Sequence, residues 1–559
     1  MYIFDSEGIC IDSVKYTTLF DGTSAGRAGG QDDTVYYYET PTPGKTNSQN
    51  KLKPSVAVPT FENAGGYVTT GSSCVINVPK DCTVYYTTDG SLPTTLSAPY
   101  TSPITLTKTV TVRAAAYRDG YLHSEDVSAS YVVGRQHTIP VVCLSTEHGN
   151  LFSDTYGILV DGSRYDETAA FPYKYSGANY WEDWERPIHF DYIDENGQQV
   201  LSFNAGIKVF GQYSRAKDQK SVSIYLRDKY GPKEISYPFF GSDYVNVFSS
   251  LALRSSGQDG KYAHLRDAYC AELVRNVIDV DIMAYKPVAV YINGEYFGLY
   301  DLRERINEDY IANHTGADPD NVDLIKGGNY KDTSYNILEG TIDEYKKLVD
   351  FLKNNSLKSD SNYKKACEMV DVDELINYWI CVIFFSNTDS GNIKYYKENT
   401  EGAKWRWILY DLDWGMFPST YREYNMFSEV LNPEGHGVGN SFSTLVLRSF
   451  MSNAEFKDKF LTTFGEYLNS VFMPENMLKL YEVMVAEIKD EMTYHIDRWN
   501  YQENADKLSA PYSVASWEKN VDRLRNIIAD KRAQTIEHMI EHFRLSDSEQ
   551  KKYLGEVFD

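Results

Sequence analysis

The sequence predicts an α+β protein in which small all-β modules lead into a larger unit whose β-rich part precedes its α-rich part. Three observations predict it. Between positions 56 and 133, short strand patterns are separated by Gly, Pro and Asp turns. After Gly134 the character becomes mixed, and strand patterns dominate to about position 305. From position 342 onward apolar residues recur at helical spacing, as at Leu375, Trp379, Val382 and Ile383. At 559 residues the chain exceeds one core, since domains usually hold about 100 to 200 residues. A hydrophobic fraction of 42%, with 46 Tyr and 8 Trp, supplies the apolar surface such cores need.

The 55 basic residues against 79 acidic ones give a formal charge of −24, which opposes binding to nucleic acid or anionic membranes and favours basic partners or metal cations. The longest strongly apolar stretch, 376–385, is far shorter than the ~20 residues that span a bilayer, so no membrane span is expected. The N-terminus, Met1-Tyr-Ile-Phe-Asp-Ser, carries no targeting signal and opens inside a strand pattern, as a trimmed start does. Cysteines at 10, 74, 82, 143, 270, 367 and 381 lack CxxC spacing, so neither a zinc site nor a disulfide framework follows, although Cys74 and Cys82 are placed to pair across a hairpin.

Residues 1–50 alternate in short runs (Ile9, Ile11, Val14; then Val35 to Tyr38) like the last strands of a sandwich. Their closing Pro41-Thr-Pro-Gly-Lys-Thr-Asn47 resembles the end of bacterial lamin-tail domains, over about half of such a domain. A linker at 48–54 follows. Residues 55–134 have the pattern of a small β-sandwich. Val84-Tyr-Tyr-Thr-Thr-Asp-Gly-Ser-Leu-Pro93 and Val110-Thr-Val-Arg-Ala-Ala-Ala-Tyr117 resemble the immunoglobulin-like module at the C-terminus of chitobiases and β-hexosaminidases. That resemblance implies spacing or attachment to a cell surface or polysaccharide, with Asp89-Gly90 a tight turn rather than a ligand site.

Chemistry concentrates in residues 137–550. A strand pattern over 205–210 runs into Gly211-Gln-Tyr-Ser-Arg215, a turn with the small hydroxyl residue Ser214, and then into a strand from Lys220. Lys220 shares parity with Val222, Ile224 and Leu226 and so points to the apolar face. An inward lysine needs an anionic partner such as phosphate or glutamate; the alternative is a strand-end lysine that snorkels to water. The helical pattern at 264–275 is placed to bring Glu272 to Lys220. Two strands joined at Asn293-Gly294, a type I′ hairpin signal, lead to Glu304. In that order of elements, which is that of a kinase N-lobe, a nucleotide sits under Gly211 with the edge near Glu304 facing its base.

A helix over 372–385 ends at Ser386-Asn-Thr-Asp-Ser-Gly-Asn392, and a hairpin then delivers Asp411-Leu-Asp413, so that Asp389, Asn392 and Asp411 converge. Two carboxylates about 4 Å apart repel by ~4 kcal/mol at an effective dielectric of 20, a cost that Mg²⁺ bound by carboxylate and phosphate oxygens reverses. Phosphoryl transfer would have Asp389 orient or deprotonate the acceptor hydroxyl, Asn392 and Asp411 hold the metal, and Lys220 neutralise phosphate. Asp413 is either a second metal ligand or the acidic start of the next turn.

Gly211-x-x-Ser214-Arg215 with Lys220-Ser221, Tyr291-Ile-Asn-Gly-Glu-Tyr-Phe-Gly-Leu-Tyr300 with Glu304, Asn387-x-Asp389-x-x-Asn392, and Trp405-Arg-Trp with Asp411-x-Asp413 resemble successive motifs of the CotH (spore coat protein H) kinase family. The resemblance implies an atypical, two-lobed protein-kinase-like domain that uses ATP and Mg²⁺ or Mn²⁺ to phosphorylate Ser or Thr of extracytoplasmic proteins of the spore-coat or cell-surface type. It places the nucleotide at Gly211, Ser214, Arg215, Lys220, Glu272 and Glu304. Asn392 follows Asp389 more closely than in the usual kinase loop. The competing class is a catalytically inert, kinase-like surface or adhesive protein.

Two further patterns carry no chemistry. His538-Met-Ile-Glu-His542 matches an inverted zincin motif, but Glu537 and Glu541 suit a solvated helix face. Asp318, Asp320 and Asp323 lack the glycine and terminal glutamate of an EF-hand, so a solvated turn is expected.

Overall fold

The computed structural model describes residues 1–559 except 17, 18, 20, 21, 29–32, 48–50, 167, 170–175, 328–335, 390, 391, 423, 434–442, 501–507 and 556–559, and except the side chain of Tyr213. The expected linker at 48–54 therefore lies partly outside the described residues, as do Ser390 and Gly391 of the loop after position 386. The fold is α+β: all-β sheets come first and a mixed region follows. The chain forms two units. One is Met1–Val209 with Tyr225–Lys233 and Val288–Gly298; the other is Phe210–Ile224 with Glu234–Pro287 and Leu299–Asp559.

The first unit is built almost wholly of strands. Tyr2–Phe4 pairs with Cys10–Ser13 and Ser24–Arg27 with Val35–Tyr38, as two separate antiparallel ribbons. A five-stranded sheet follows in the order Ala98–Pro99, Thr83–Thr87, Val110–Tyr117, Val127–Val133, Gly66–Val68. Strand alternation turns Val110, Val112, Ala114 and Ala116 into a core shared with Cys74, Ile76 and Leu106, which makes this a sandwich. On the other face Arg113 is neutralised by Asp126 at 2.6 Å. The expected Cys74–Cys82 pair is not formed. Cys74 is turned into the core toward Tyr131, Cys82 lies against the Lys80 carbonyl at 3.5 Å, and both are free thiols.

Beyond the sandwich, Glu185–Ile193 lies between Val141–Ser145 and Gln199–Val209, antiparallel to both. Asn293 and Gly294 take φ of 49° and 82°, the pair of left-handed conformations a type I′ turn requires. The second strand of that hairpin, Glu295–Glu304, carries the chain into the second unit.

In the second unit Ser250–Arg254 pairs antiparallel with the far half of Glu295–Glu304, and Arg254 stands opposite Asp301. A five-stranded sheet runs in the order Asp281–Ile282, Arg406–Leu409, Lys394–Glu398, Val322–Lys326, Asn336–Glu339. Helices dominate from Asp343–Asn354, whose buried Tyr345, Leu348, Val349 and Leu352 form the i, i+3, i+4, i+7 stripe of a helix that covers a core. Val372–Phe384 is buried from Glu374 onward and begins at Asp371, whose carboxylate accepts from Glu374 N at 3.3 Å. No helix among the described residues is long and apolar enough to cross a membrane. Asp323, expected in a solvated turn, is instead fully buried in Val322–Lys326. Its carboxylate accepts from Thr341 N at 2.6 Å and Asn399 Nδ2 at 3.2 Å, partners too remote in sequence to be foreseen.

His264 and His495 meet edge to face at 4.7 Å, both buried, and Leu299 N donates to His495 Nδ1 at 3.2 Å. Burial disfavours the imidazolium and pushes His495 down to about 4, and His264 is lowered by the same cause. An unfolded histidine takes up its proton near pH 6.5. The stabilisation present above that pH is therefore lost as pH falls toward 4, by about 3 kcal/mol for His495 alone. Tryptophan emission reports mainly on this unit, which holds six of the eight tryptophans. By that signal the urea midpoint falls between pH 7 and pH 5, and His495→Gln, which keeps an acceptor for Leu299, flattens the fall. An equally steep fall in the variant refutes the assignment.

Candidate functional site

The site grows from the end of the helix Val372–Phe384. Ser386 takes φ 53°, which ends the helix, and Asn387 N returns to Val382 O at 3.1 Å. The Asn387 side chain accepts from Asp389 N at 3.2 Å, and Asn392 N donates to Asp389 O at 2.9 Å. Lys394–Glu398 then pairs with Arg406–Leu409, and that hairpin returns Asp411 to Asn392, whose side-chain NH₂ donates to Asp411 Oδ2. Tyr410 closes the group by donating its hydroxyl to Asn392 Oδ1 at 2.6 Å. The expected meeting of Asp389, Asn392 and Asp411 is thus made through Asn392.

The charges are crowded. Burial pushes the Asp389 carboxyl up to about 8, with the negative charges of Asp411 and Asp413 adding to the shift and Lys326 opposing it. Burial and then Asp411 likewise raise Asp413. One guanidinium answers most of this charge. Arg254 Nη2 lies 2.5 Å from Asp411 Oδ1 and 3.2 Å from Asp413 Oδ2, while its Nε lies 3.7 Å from Asp267 Oδ2. Burial alone would raise Asp267, but Arg254 and Arg303 outweigh it and hold that carboxyl below its usual range. Asp267 in turn accepts from Leu412 N at 2.6 Å and Arg303 Nη1 at 2.5 Å, which fixes the chain between the two aspartates of the Asp411-Leu-Asp413 turn. Asp411 itself has φ 58°, a conformation that aspartate tolerates better than most residues.

Asp413 accepts from Gln258 N at 2.8 Å. Gly257 makes that approach possible. It has φ 51°, and a Cβ there would stand 2.1 Å from Asp413 Oδ2. Lys217 Nζ donates to the Gly257 carbonyl at 2.9 Å, Lys220 Nζ donates to the Lys217 carbonyl at 2.8 Å, and Tyr300 donates its hydroxyl to the Lys220 carbonyl at 3.0 Å. Lys220 is therefore buried as expected, next to the strand Val222–Tyr225 rather than in it. Gly211 has φ 103° with Ser214 Oγ where a Cβ would stand, and Arg215 Nε donates to the Gly211 carbonyl at 2.7 Å.

Two expectations are corrected. Glu272 does not pair with Lys220; both its oxygens are held by Arg275, three residues on along the chain, at 2.8 and 2.6 Å. Glu304 does not face an open edge. Its carboxylate is buried and accepts from the Tyr244 hydroxyl at 2.8 Å and Ala284 N at 3.0 Å, and pairs with His314 Nε2 at 2.7 Å. Local pattern missed Arg254, Lys217, Lys326, Lys394 and Tyr410. The one available signal was an apolar strand, Leu251-Ala-Leu, ending in an arginine just before Ser-Ser-Gly.

A family model described as CotH kinase protein matches residues 207–536, more than half of the chain, and one described as chitobiase/beta-hexosaminidase C-terminal domain matches residues 63–129. No match is found among the curated proteins.

Removing Arg254 leaves Asp411 and Asp413 without their counter-ion and Asp267 with Arg303 alone, a change that costs about 3–5 kcal/mol for a buried pair. Arg254→Met is expected to lower unfolding free energy by that order at pH 8. The deficit shrinks toward pH 6, because carboxylates freed from the guanidinium take up protons in the folded state. Urea titrations of parent and variant at the two pH values measure both effects; a deficit that does not vary with pH contradicts the account.

Proposed function

The chain belongs to the CotH kinase protein family and carries a chitobiase/β-hexosaminidase C-terminal-like module ahead of the kinase-like region, and on that footing we propose that it transfers the terminal phosphoryl group of ATP to a Ser or Thr hydroxyl of an extracytoplasmic or cell-surface protein. The observation that carries this reading is the Asp389–Asn392–Asp411 group, with its Asp389 carboxyl raised by burial and then by the negative charges of Asp411 and Asp413. Such crowding fits a divalent cation, Mg²⁺ or Mn²⁺, since these ions are held by one or two carboxylates together with phosphate oxygens. Asp411 and Asn392 would hold it, with Asp413 behind them, and the bound cation would supply charge neutralisation to the phosphate oxygens.

Asp389 accepts the hydroxyl proton as the acceptor oxygen bonds to phosphorus. The bond from phosphorus to the bridging oxygen breaks, and its electron pair leaves with the diphosphate. Lys220 supplies positive charge behind the Gly257 turn, and the turn from Gly211 through Ser214 to Arg215 covers the phosphates. The sandwich over 63–129, whose family model is named for carbohydrate-processing enzymes, supports a surface location.

A second reading, an inert kinase-like scaffold, is favoured by one observation: Arg254 and Asn392 already satisfy the Asp411 carboxylate. Incubation with Mg²⁺ and labelled ATP separates the two. Autophosphorylation by the parent is expected to fall at least about a hundredfold in Asp411→Asn and in Asp389→Asn, the usual weight of such groups. Equal labelling of parent and variants, or none in any of them, supports the scaffold.

A further inference from the structure

Lys326 is the last residue of Val322–Lys326 and Lys394 the first of Lys394–Glu398, and they are direct cross-strand partners. In an antiparallel pair such partners project from the same face with Cβ atoms about 5 Å apart, and like charges placed there destabilise the sheet. The next pair on that face, Leu324 with Tyr396, is buried in a core with Ile306, Tyr310 and Ile408. The two ammonium groups therefore stand where the apolar core ends and the acidic site begins. Neither forms an ion pair with a carboxylate among the described residues. Lys394 Nζ instead lies 4.6 Å over the Tyr410 ring, whose hydroxyl holds Asn392. The charge of Lys326 is felt at Asp389, and Arg305 adds a third cation beside Lys394.

A chain of net charge −24 that sets like cations face to face beside its carboxylate group is arranged for an anion carrying several charges. We propose that Lys326 and Lys394 form the seat of the donor's outermost phosphate, the group that is transferred. Only the identity of the donor rests on the phosphotransfer reading; the anion class rests on the cross-strand pair. Charge-assisted hydrogen bonds from two lysines hold the oxygens of that phosphate. Occupation of the seat also removes the repulsion across the sheet.

Inorganic tripolyphosphate in excess Mg²⁺ is the probe, titrated calorimetrically into the full chain. Lys326→Met and Lys394→Met are each expected to weaken binding about tenfold, and the double variant about a hundredfold, while Lys→Arg at either position stays within about threefold of the parent. Because the substitution relieves like-charge repulsion, the unliganded methionine variants are expected to melt no lower than the parent. Binding unchanged within about twofold in the variants, no binding by the parent, or a loss of binding accompanied by a lower unliganded melting temperature each overturns the proposal. Lysine-dependent tripolyphosphate binding without transfer from ATP sinks the phosphotransfer reading and leaves this seat standing. Transfer by the parent with unaltered binding in the variants does the reverse.

Discussion

The Arg254 guanidinium stands against three carboxylates, those of Asp267, Asp411 and Asp413, and without it they would face one another. Two like charges about 4 Å apart repel by ~4 kcal/mol at an effective dielectric of about 20, which is large against the marginal stability of a domain. The strand Ser250–Arg254 fixes where that cation sits, because pairing with Glu295–Glu304 sets Arg254 opposite Asp301 and next to Arg303. Asp267, Asp411 and Asp413 are placed relative to this strand end. Asp267 rises from the following helix, Arg266–Val274, to anchor Leu412 N, and the Gly257 turn receives Asp413.

The loop that bears Asp389 is held from the opposite direction by a residue far along the chain. Lys531, buried in the long helix Val514–Phe543, donates to Ser386 Oγ at 2.7 Å and Gln534 Oε1 at 2.6 Å. Burial pushes its ammonium down to about 7, with Asp530 opposing the shift, and its hydrogen bond to Ser386 holds the left-handed residue where the loop begins. Ser256, Ser386, Asp411 and Met416 all have positive φ and all bound these turns. Backbone strain of this kind persists where surrounding contacts over-determine it, and here those contacts are Arg254, Lys531 and Asp267.

What could be read in the sequence was what depends on near neighbours. The Asn293-Gly294 turn, the Asp371 cap, the helix that follows it and the hairpin that returns Asp411 to Asn392 are each decided within a few residues or by one strand pairing. Glu272 was misread because Arg275 lies on its own turn of chain and captures it before any distant lysine does. Glu304 and Asp323 were misread for the opposite reason. Their partners, Tyr244 and His314 in one case and Thr341 and Asn399 in the other, are brought in by folding and leave no periodic trace. Arg254 belongs with them: a basic residue closing an apolar strand gains its meaning only when Asp411 and Asp413 arrive from more than 150 positions away.

Lys326 and Lys394 are segregated from the aspartates of the site rather than interleaved with them, and that separation has an energetic consequence. Asp411 and Asp413 share Arg254 while Asp389 stands beside them, and Lys326 and Lys394 stand together across one register of sheet. Direct pairing of the two groups would satisfy both, yet among the described residues neither lysine makes an ion pair with those aspartates. The folded chain thus keeps two unfavourable concentrations of charge a short distance apart, each of which a multivalent counter-ion of the other sign would relieve. A site organised in this way spends folding energy in advance on orientation, so that dipoles and charges need not reorganise when a ligand arrives. The rigid frame around it, a strand end, a capped helix and a buried lysine, is what allows the opposed charges to remain apart.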